Sequence, residues 1–423
     1  MRIDFAKLMK RTLLGLVPGC WLAAATGFAA DWPQYRGPLG DGISHEAIRT
    51  NWPAEGPKVW WRASVQDAFG SFAIQGDRAF FLSTTNDSEA CFALGLKSGQ
   101  PLWATELGRT IGQSSGGTGP RSTPVADGER IYTYGTYLQL SCLKAADGSK
   151  LWQQDVARDF AGQLNTQGIS NYGNAASPLV EGGLVLVPGG GDGKCFLAFD
   201  KLTGKPVWQR ETEPITHATP VAATIAGVRQ IIFLTKNGLV SLEPLHGEVL
   251  WRFAFPSRRP VAASPVVGGD LVYCSAGYGV GAAVCRVERN AAGAFTAREL
   301  WRTPGANMNH FSTPVIHDGY LYGLYGTMMT DTAPLECVEL ATGKRMWSGP
   351  PFGEGELILV DGKLVVQGSH GELAIVQASA EGYHELARAH VIGGRAWGFP
   401  AFGNGVLLHR SNKEIAALDL AAP

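Results

Sequence analysis

The chain has 423 residues, is 45% hydrophobic and only 17% charged, and carries a formal net charge of −1. That length and apolar content allow a large buried core, and the balanced charge excludes a global basic field for nucleic acid. With 55 glycines and 24 prolines, the composition favours many short strands and turns over long charged helices.

At the N-terminus, Arg2, Lys7, Lys10 and Arg11 form a basic start, and an apolar stretch, TLLGLVPGCWLAAATGFAA, follows. This pattern predicts an export signal over residues 1–29, with Gly27 and Ala29 as the small residues before the cleavage point. The run is short and broken by Pro18, which argues against a membrane anchor. A second reading takes VPGC as a lipoprotein signal that places a lipid on Cys20. No later segment has about 18 uninterrupted apolar residues, so no transmembrane helix is expected after signal removal. The mature chain, 30–423, is expected to be periplasmic or secreted.

From there the chain repeats. Ser122–Trp152, Ala176–Trp208, Ala218–Trp251, Ala263–Trp301 and Ser312–Trp347 each open on Ser/Thr-Pro and an apolar residue, then run through strand, turn and strand to a closing tryptophan strand. Phe72–Trp103 fits without the Ser/Thr-Pro. Glycine precedes tryptophan by four residues at Gly99, Gly148, Gly204, Gly247 and Gly343. Such a glycine supplies the positive φ of the turn before the outer strand. Trp61, Trp103, Trp152, Trp208, Trp251, Trp301 and Trp347 lie 42 to 56 residues apart. Four short strands at that period predict a β-propeller blade, with each tryptophan as a structural staple between blades. Residues 355–390 repeat the pattern with LARAH in place of tryptophan, and 396–420 supply three strands and stop. The missing strand is available near residues 56–64, in PKVWWRASV. The fold is therefore expected to be all-β: eight four-stranded antiparallel blades closed by the N-terminal strand, expected as a monomer.

The stretch AFDKLTGKPVW, Ala198–Trp208, resembles the tryptophan-docking motif of the pyrroloquinoline quinone (PQQ) repeat family of β-propellers, a WD40/YVTN-like repeat class; ELATGKRMW is a second copy, and DWPQYRGPLGDGIS resembles the opening of exported members. The resemblance covers roughly residues 31–420. It implies one of two branches. Quinoprotein dehydrogenases bind PQQ and calcium on the propeller axis. The barrel-assembly lipoprotein B type is a periplasmic scaffold without a cofactor. The chain has neither the adjacent cysteine pair nor the C-x-x-C-H of the dehydrogenases, and it is similar in compactness to the scaffold branch. The resemblance thus implies a non-catalytic, protein-binding scaffold of the cell envelope, with no cofactor; the alternatives are a PQQ- and calcium-dependent oxidoreductase and a polysaccharide- or small-ligand-binding propeller.

Candidate chemistry is sparse. Pro188–Lys194, PGGGDGK, lacks the spacing of a phosphate loop and reads as a turn within a blade. Residues 112–122 and 165–177 read as polar loops entering blades, which on a rigid scaffold can shape a binding surface. Six cysteines follow the signal. Cys91, Cys142, Cys195, Cys285 and Cys337 fall on equivalent strands too far apart to pair, while Cys274 and Cys285 flank one hairpin and leave a disulfide open. No metal-ligand spacing occurs and no catalytic triad can be assembled. Aligning the repeats brings Arg121, His217, Phe311 and Trp397 to one channel mouth, with Asn174, His310 and Glu354 as neighbours. Arginine, histidine and tryptophan converging there suit an envelope protein partner or a small anionic or planar ligand.

Overall fold

The computed structural model describes residues 2–4, 30–112, 117–164, 166–167, 170–259, 261–326 and 332–423. The expected export signal, with Cys20, lies outside the described residues apart from Arg2–Asp4, as do residues 113–116, 165 and 168–169 of the two polar loops. Eight sheets surround one axis. Blade 3 is representative: Leu179–Glu181 is innermost, Leu184–Gly191 and Lys194–Asp200 follow, and Pro206–Arg210 is outermost. The two middle strands are apolar on nearly every residue because each face of a blade is covered by a neighbour. The only helix among the described residues is the single turn Val156–Asp159.

The last blade holds Ala401–Gly403, Val406–Arg410 and Glu414–Asp419, and Val59–Ser64 pairs antiparallel with Glu414–Asp419 as its fourth long strand. Arg2–Asp4 lies parallel outside it. No helix among the described residues is long and apolar enough to cross a membrane.

The docking tryptophans share one local geometry. In every complete blade the outer strand carries a bulge at the tryptophan position, as between Cys142↔Trp152 and Leu143↔Lys150. The extra residue re-aims the indole toward the next blade. In four of these blades the residue before it is left outside: Leu102, Leu151, Val207 and Met346 are exposed. Six indole N–H groups then donate to a carbonyl of the following blade, from Trp61 to Leu96 (2.7 Å) around to Trp347 to Ser379 (2.8 Å).

The glycines have a second role beyond their φ of 66° to 73°. A Cβ on Gly99, Gly148, Gly204, Gly247 or Gly343 would stand 2.5 to 2.8 Å from the indole of Trp61, Trp103, Trp152, Trp208 or Trp301 respectively, the tryptophan of the preceding blade. The glycine is the seat and the indole lies on it. Blade 5 has a longer turn, Asn290–Ala294, instead. Trp251 accordingly has no glycine seat and donates to Gln230 Oε1 of its own blade at 2.6 Å.

The Ser/Thr-Pro openings are explained by a belt around the axis. The backbone N–H of Ser71 donates to Thr123 Oγ1, Thr123 to Ser177 Oγ, Ser177 to Thr219 Oγ1, Thr219 to Ser264 Oγ and Ser264 to Thr313 Oγ1, all at 2.9 to 3.2 Å. Each hydroxyl thus satisfies a buried donor of the neighbouring blade. Ser71 Oγ continues the belt to Phe399 O at 2.7 Å. The six described cysteines are buried and free. Cys274 faces Ala283 and Cys285 faces Val272, so the two are diagonal in the hairpin and not opposite; diagonal neighbours are too far apart for a disulfide. The Pro188–Lys194 segment is a hairpin turn, with Gly193 at φ 63°.

Candidate functional site: a cup on the propeller axis

Residues Asp31–Ile48 convert the axial channel into a cup. Trp32 bridges Ile74 in blade 1, Ile43–Ser44 pairs parallel with Leu359–Val360 in blade 7, and Ile48 bridges Ala421 beside blade 8. The segment thus crosses one end of the axis. From its middle Arg36 reaches inward and donates to Thr313 O, to Pro314 O (2.7 Å) and to its own loop at Asp41 O (2.8 Å). It is buried and satisfied by carbonyls, with its cation over Phe399 at 5.6 Å. Tyr35 beside it forms the floor of a cavity of about 430 Å³.

The wall has eightfold register. Phe69, Arg121, Ala175, His217, Ala262, Phe311, Glu354 and Trp397 each occupy the same position in successive blades, and all line the cup. Arg121, His217, His310, Phe311 and Trp397, read from the repeat alignment, therefore come together. Asn174 does not line the cavity; its carboxamide holds the entry loop by donating to Ala176 O (2.9 Å) and accepting from Ala176 N (3.1 Å). Phe69 escaped the alignment because blade 1 lacks the Ser/Thr-Pro that set its register. Tyr172 lies in the 165–177 loop already singled out, and Tyr278 in the GYG turn between the two hairpin cysteines, but no repeat position assigns either a direction.

The side chains form a collar. Tyr278 meets His310 edge-to-face at 4.8 Å, His310 meets Phe311 at 5.3 Å, Phe311 meets Trp397 at 5.3 Å, and Trp397 meets Phe69 at 5.6 Å. The Arg121 guanidinium lies over Phe69 at 5.2 Å and Tyr172 at 5.5 Å, and Tyr172 meets His217 at 5.9 Å. Arg395 stacks on Trp397 at 4.5 Å. Cation–π and edge-to-face contacts of this kind contribute roughly 0.5–2 kcal/mol each when desolvated.

Burial controls the charges. It lowers Arg121 to about 10, and Nη2 donates to Gly117 O (2.9 Å) and Nη1 to Gly119 O (3.0 Å). It pushes His217 down to about 3, with Arg121 adding to the shift, and His310 down to about 4, so both imidazoles are neutral at pH 7. Neither ring nitrogen of His217 has a protein partner, and Glu356 Oε2 is likewise buried and unpartnered. Burial drives the Glu356 carboxyl well above the usual carboxylate range, against the pull of Arg36.

Burial also lifts Glu89, which accepts from Thr136 N at 3.0 Å, from 4.5 to about 7, with Thr136 and then Arg121 opposing the shift. The folded chain holds this proton up to about pH 7, whereas the unfolded chain releases it near pH 4.5. The Glu89 contribution to stability therefore falls as pH rises through that window and is level above it. Glu89→Gln is expected to gain stability relative to wild type between pH 5 and pH 7.5 in urea titrations; a difference that does not change with pH would contradict this assignment.

The fold and the stoppered cup together define an eight-bladed β-propeller with an axial cavity. The chain belongs to the family described as outer membrane protein assembly factor BamB, whose PQQ_2 model matches residues 86–349. It is similar to the quinoprotein alcohol dehydrogenase PedH of Pseudomonas putida, 25% identical over 279 residues; the match covers 63% of this chain and 40% of that enzyme's length. Among solved structures, BamB from Moraxella catarrhalis shares the fold at 15% identity and a TM-score of 0.56, covering 84% of this chain and 97% of that one. The quinohemoprotein alcohol dehydrogenase from Comamonas testosteroni does so at 10% identity and a TM-score of 0.63, covering 92% and 80%.

Proposed function

We propose that this protein is an exported, non-catalytic binding propeller of the cell envelope, whose axial cup takes up a small planar organic anion. The observation that carries this reading is the aromatic collar over a closed floor. The volume, about 430 Å³, is in the usual range of small-molecule sites, roughly 300–1,000 Å³. His217 and Glu356 present buried polar atoms without protein partners, and such atoms cost about 1–3 kcal/mol each until something bonds them. Of the charged side chains that line the cup, Arg121 and Arg395 outnumber Glu354, and burial pushes the Glu356 carboxyl well above the usual carboxylate range. The field in the cup favours an anion.

PQQ with calcium fits this donor set poorly. Calcium gathers six to eight oxygens, several of them carboxylates. Among its described residues the cup offers only Glu354 and Glu356, the latter with its carboxyl pushed up by burial, and Arg121 and Arg395 stand on its wall. No group of three or more His, Cys, Asp or Glu residues suited to a metal occurs among the described residues.

The test is calorimetric titration of residues 30–423 with planar aromatic carboxylates such as 2-naphthoate. Arg121→Ala with His217→Ala is expected to weaken binding at least about tenfold, by removing one charge-assisted contact and one hydrogen bond, while the protein still melts cooperatively. Unchanged affinity would remove the cup from the reading. The same protein, given PQQ, calcium and an alcohol, is expected not to reduce an artificial electron acceptor. Alcohol-dependent dye reduction that the double substitution abolishes would return the reading to an oxidoreductase.

A second reading, a protein-binding scaffold, is favoured by family membership and by the exposed apolar side chain preceding each of several docking tryptophans, including Leu102, Leu151 and Val207. Stoichiometric co-purification of an outer-membrane protein that survives the cup double substitution would favour it.

A further inference from the structure

We infer that Tyr278 is a specificity-determining residue of the cup, whose ring at the mouth selects flat ligands over puckered ones. The inference rests on reading the cup as a ligand site. Tyr278 sits in the turn between Leu271–Ala276 and Gly281–Arg289 with φ 58°. An aromatic residue in the left-handed region is a genuine outlier. Corresponding turns elsewhere use Asn86 at φ 52°, Gly193 at φ 63° and Leu138 at φ 64°, and Leu138 is buried in a blade core, which Tyr278 is not.

Packing does not account for the choice. Tyr278 is half-buried and belongs to none of the blade cores. The turn is instead built around the collar. A Cβ on Gly277 would stand 2.4 Å from His310 Nδ1, so only glycine lets the turn close onto that imidazole. Tyr278 then lies edge-to-face on His310, with the Arg259 guanidinium 5.6 Å from its ring. Strained residues persist where their surroundings impose them, commonly at ligand sites. A ring at the lip of a cavity walled by Phe311 and Trp397 offers a π-surface that a flat ligand matches and a puckered one does not.

The experiment compares 2-naphthoate with decahydro-2-naphthoate, the same skeleton flat and saturated, on wild type, Tyr278→Phe and Tyr278→Asn. Asparagine tolerates the left-handed backbone but has no ring. Wild type and Tyr278→Phe are expected to prefer the flat acid by roughly five- to tenfold, the scale of one aromatic contact. Tyr278→Asn is expected to bind both alike while melting at or above the wild-type temperature. Retention of the preference in Tyr278→Asn, or a lower melting temperature with unchanged affinities, overturns the inference and leaves the cup as a site. Failure of wild type to bind either probe removes the cup reading and this inference with it.

Discussion

Deletion of residues 31–64 from the mature chain is expected to give aggregates and no cooperative melting transition. Two structures are lost together. Val59–Ser64 pairs with Glu414–Asp419, and Trp61, 3% exposed, donates to Leu96 O in blade 1. Without that strand the last blade has an open edge and the first has lost the indole that covers it; unpaired edges template aggregation. Asp31–Ile48 adds Trp32, 1% exposed, and the Arg36 contacts to Thr313 and Pro314. Removing even one buried tryptophan typically costs about 3–5 kcal/mol, and domains are stable by only about 5–15 kcal/mol. Size-exclusion chromatography and circular dichroism of the deletion protein check this. A monodisperse monomer that melts like the parent would show that neither the strand nor the plug supports the ring.

The repeat was legible because its cause is local. Gly204, Trp208 and the Ser/Thr-Pro positions recur at fixed intervals, and each blade needs the same turn and the same staple. What the glycine does for the preceding blade was not legible, since the contact between Gly247 and Trp208 spans 39 residues and depends on how sheets stack. The wall of the cup was half visible for the same reason. Arg121, His217, Phe311 and Trp397 stand in register with the repeat, so alignment finds them. Tyr35 and Arg36 come from a non-repeating segment, and Tyr278 from an irregular turn; topology alone brings them to the axis. Blade 5 shows the limit from the other side. Its longer turn removes the glycine seat, and Trp251 turns to Gln230, a side chain no repeat rule would select.

Trp208→Ala is expected to destabilise the protein by about 3–5 kcal/mol in urea titration, as large aromatic truncations in cores do. Trp208 is 5% exposed, packs with Leu186, Phe196 and Phe233, and donates to Pro244 O at 2.9 Å. The truncation leaves a cavity between blades 3 and 4 and an unpaired carbonyl. Gly247 makes the assignment sharper. A Cβ there would stand 2.7 Å from the indole, on a backbone with φ 70°. Gly247→Ala thus carries a steric cost against Trp208 and a backbone cost of about 1 kcal/mol or more that is independent of it. In the Trp208→Ala background the clash with the indole disappears, while the backbone part and the approach to Arg210 Cγ at 2.9 Å remain. The two substitutions are therefore expected to be less than additive, by about 0.5–3 kcal/mol, the range for residues in direct contact. Strict additivity, or a loss below about 1 kcal/mol for Trp208→Ala alone, would mean that the indole does not rest on the glycine and that the blades are joined by something else.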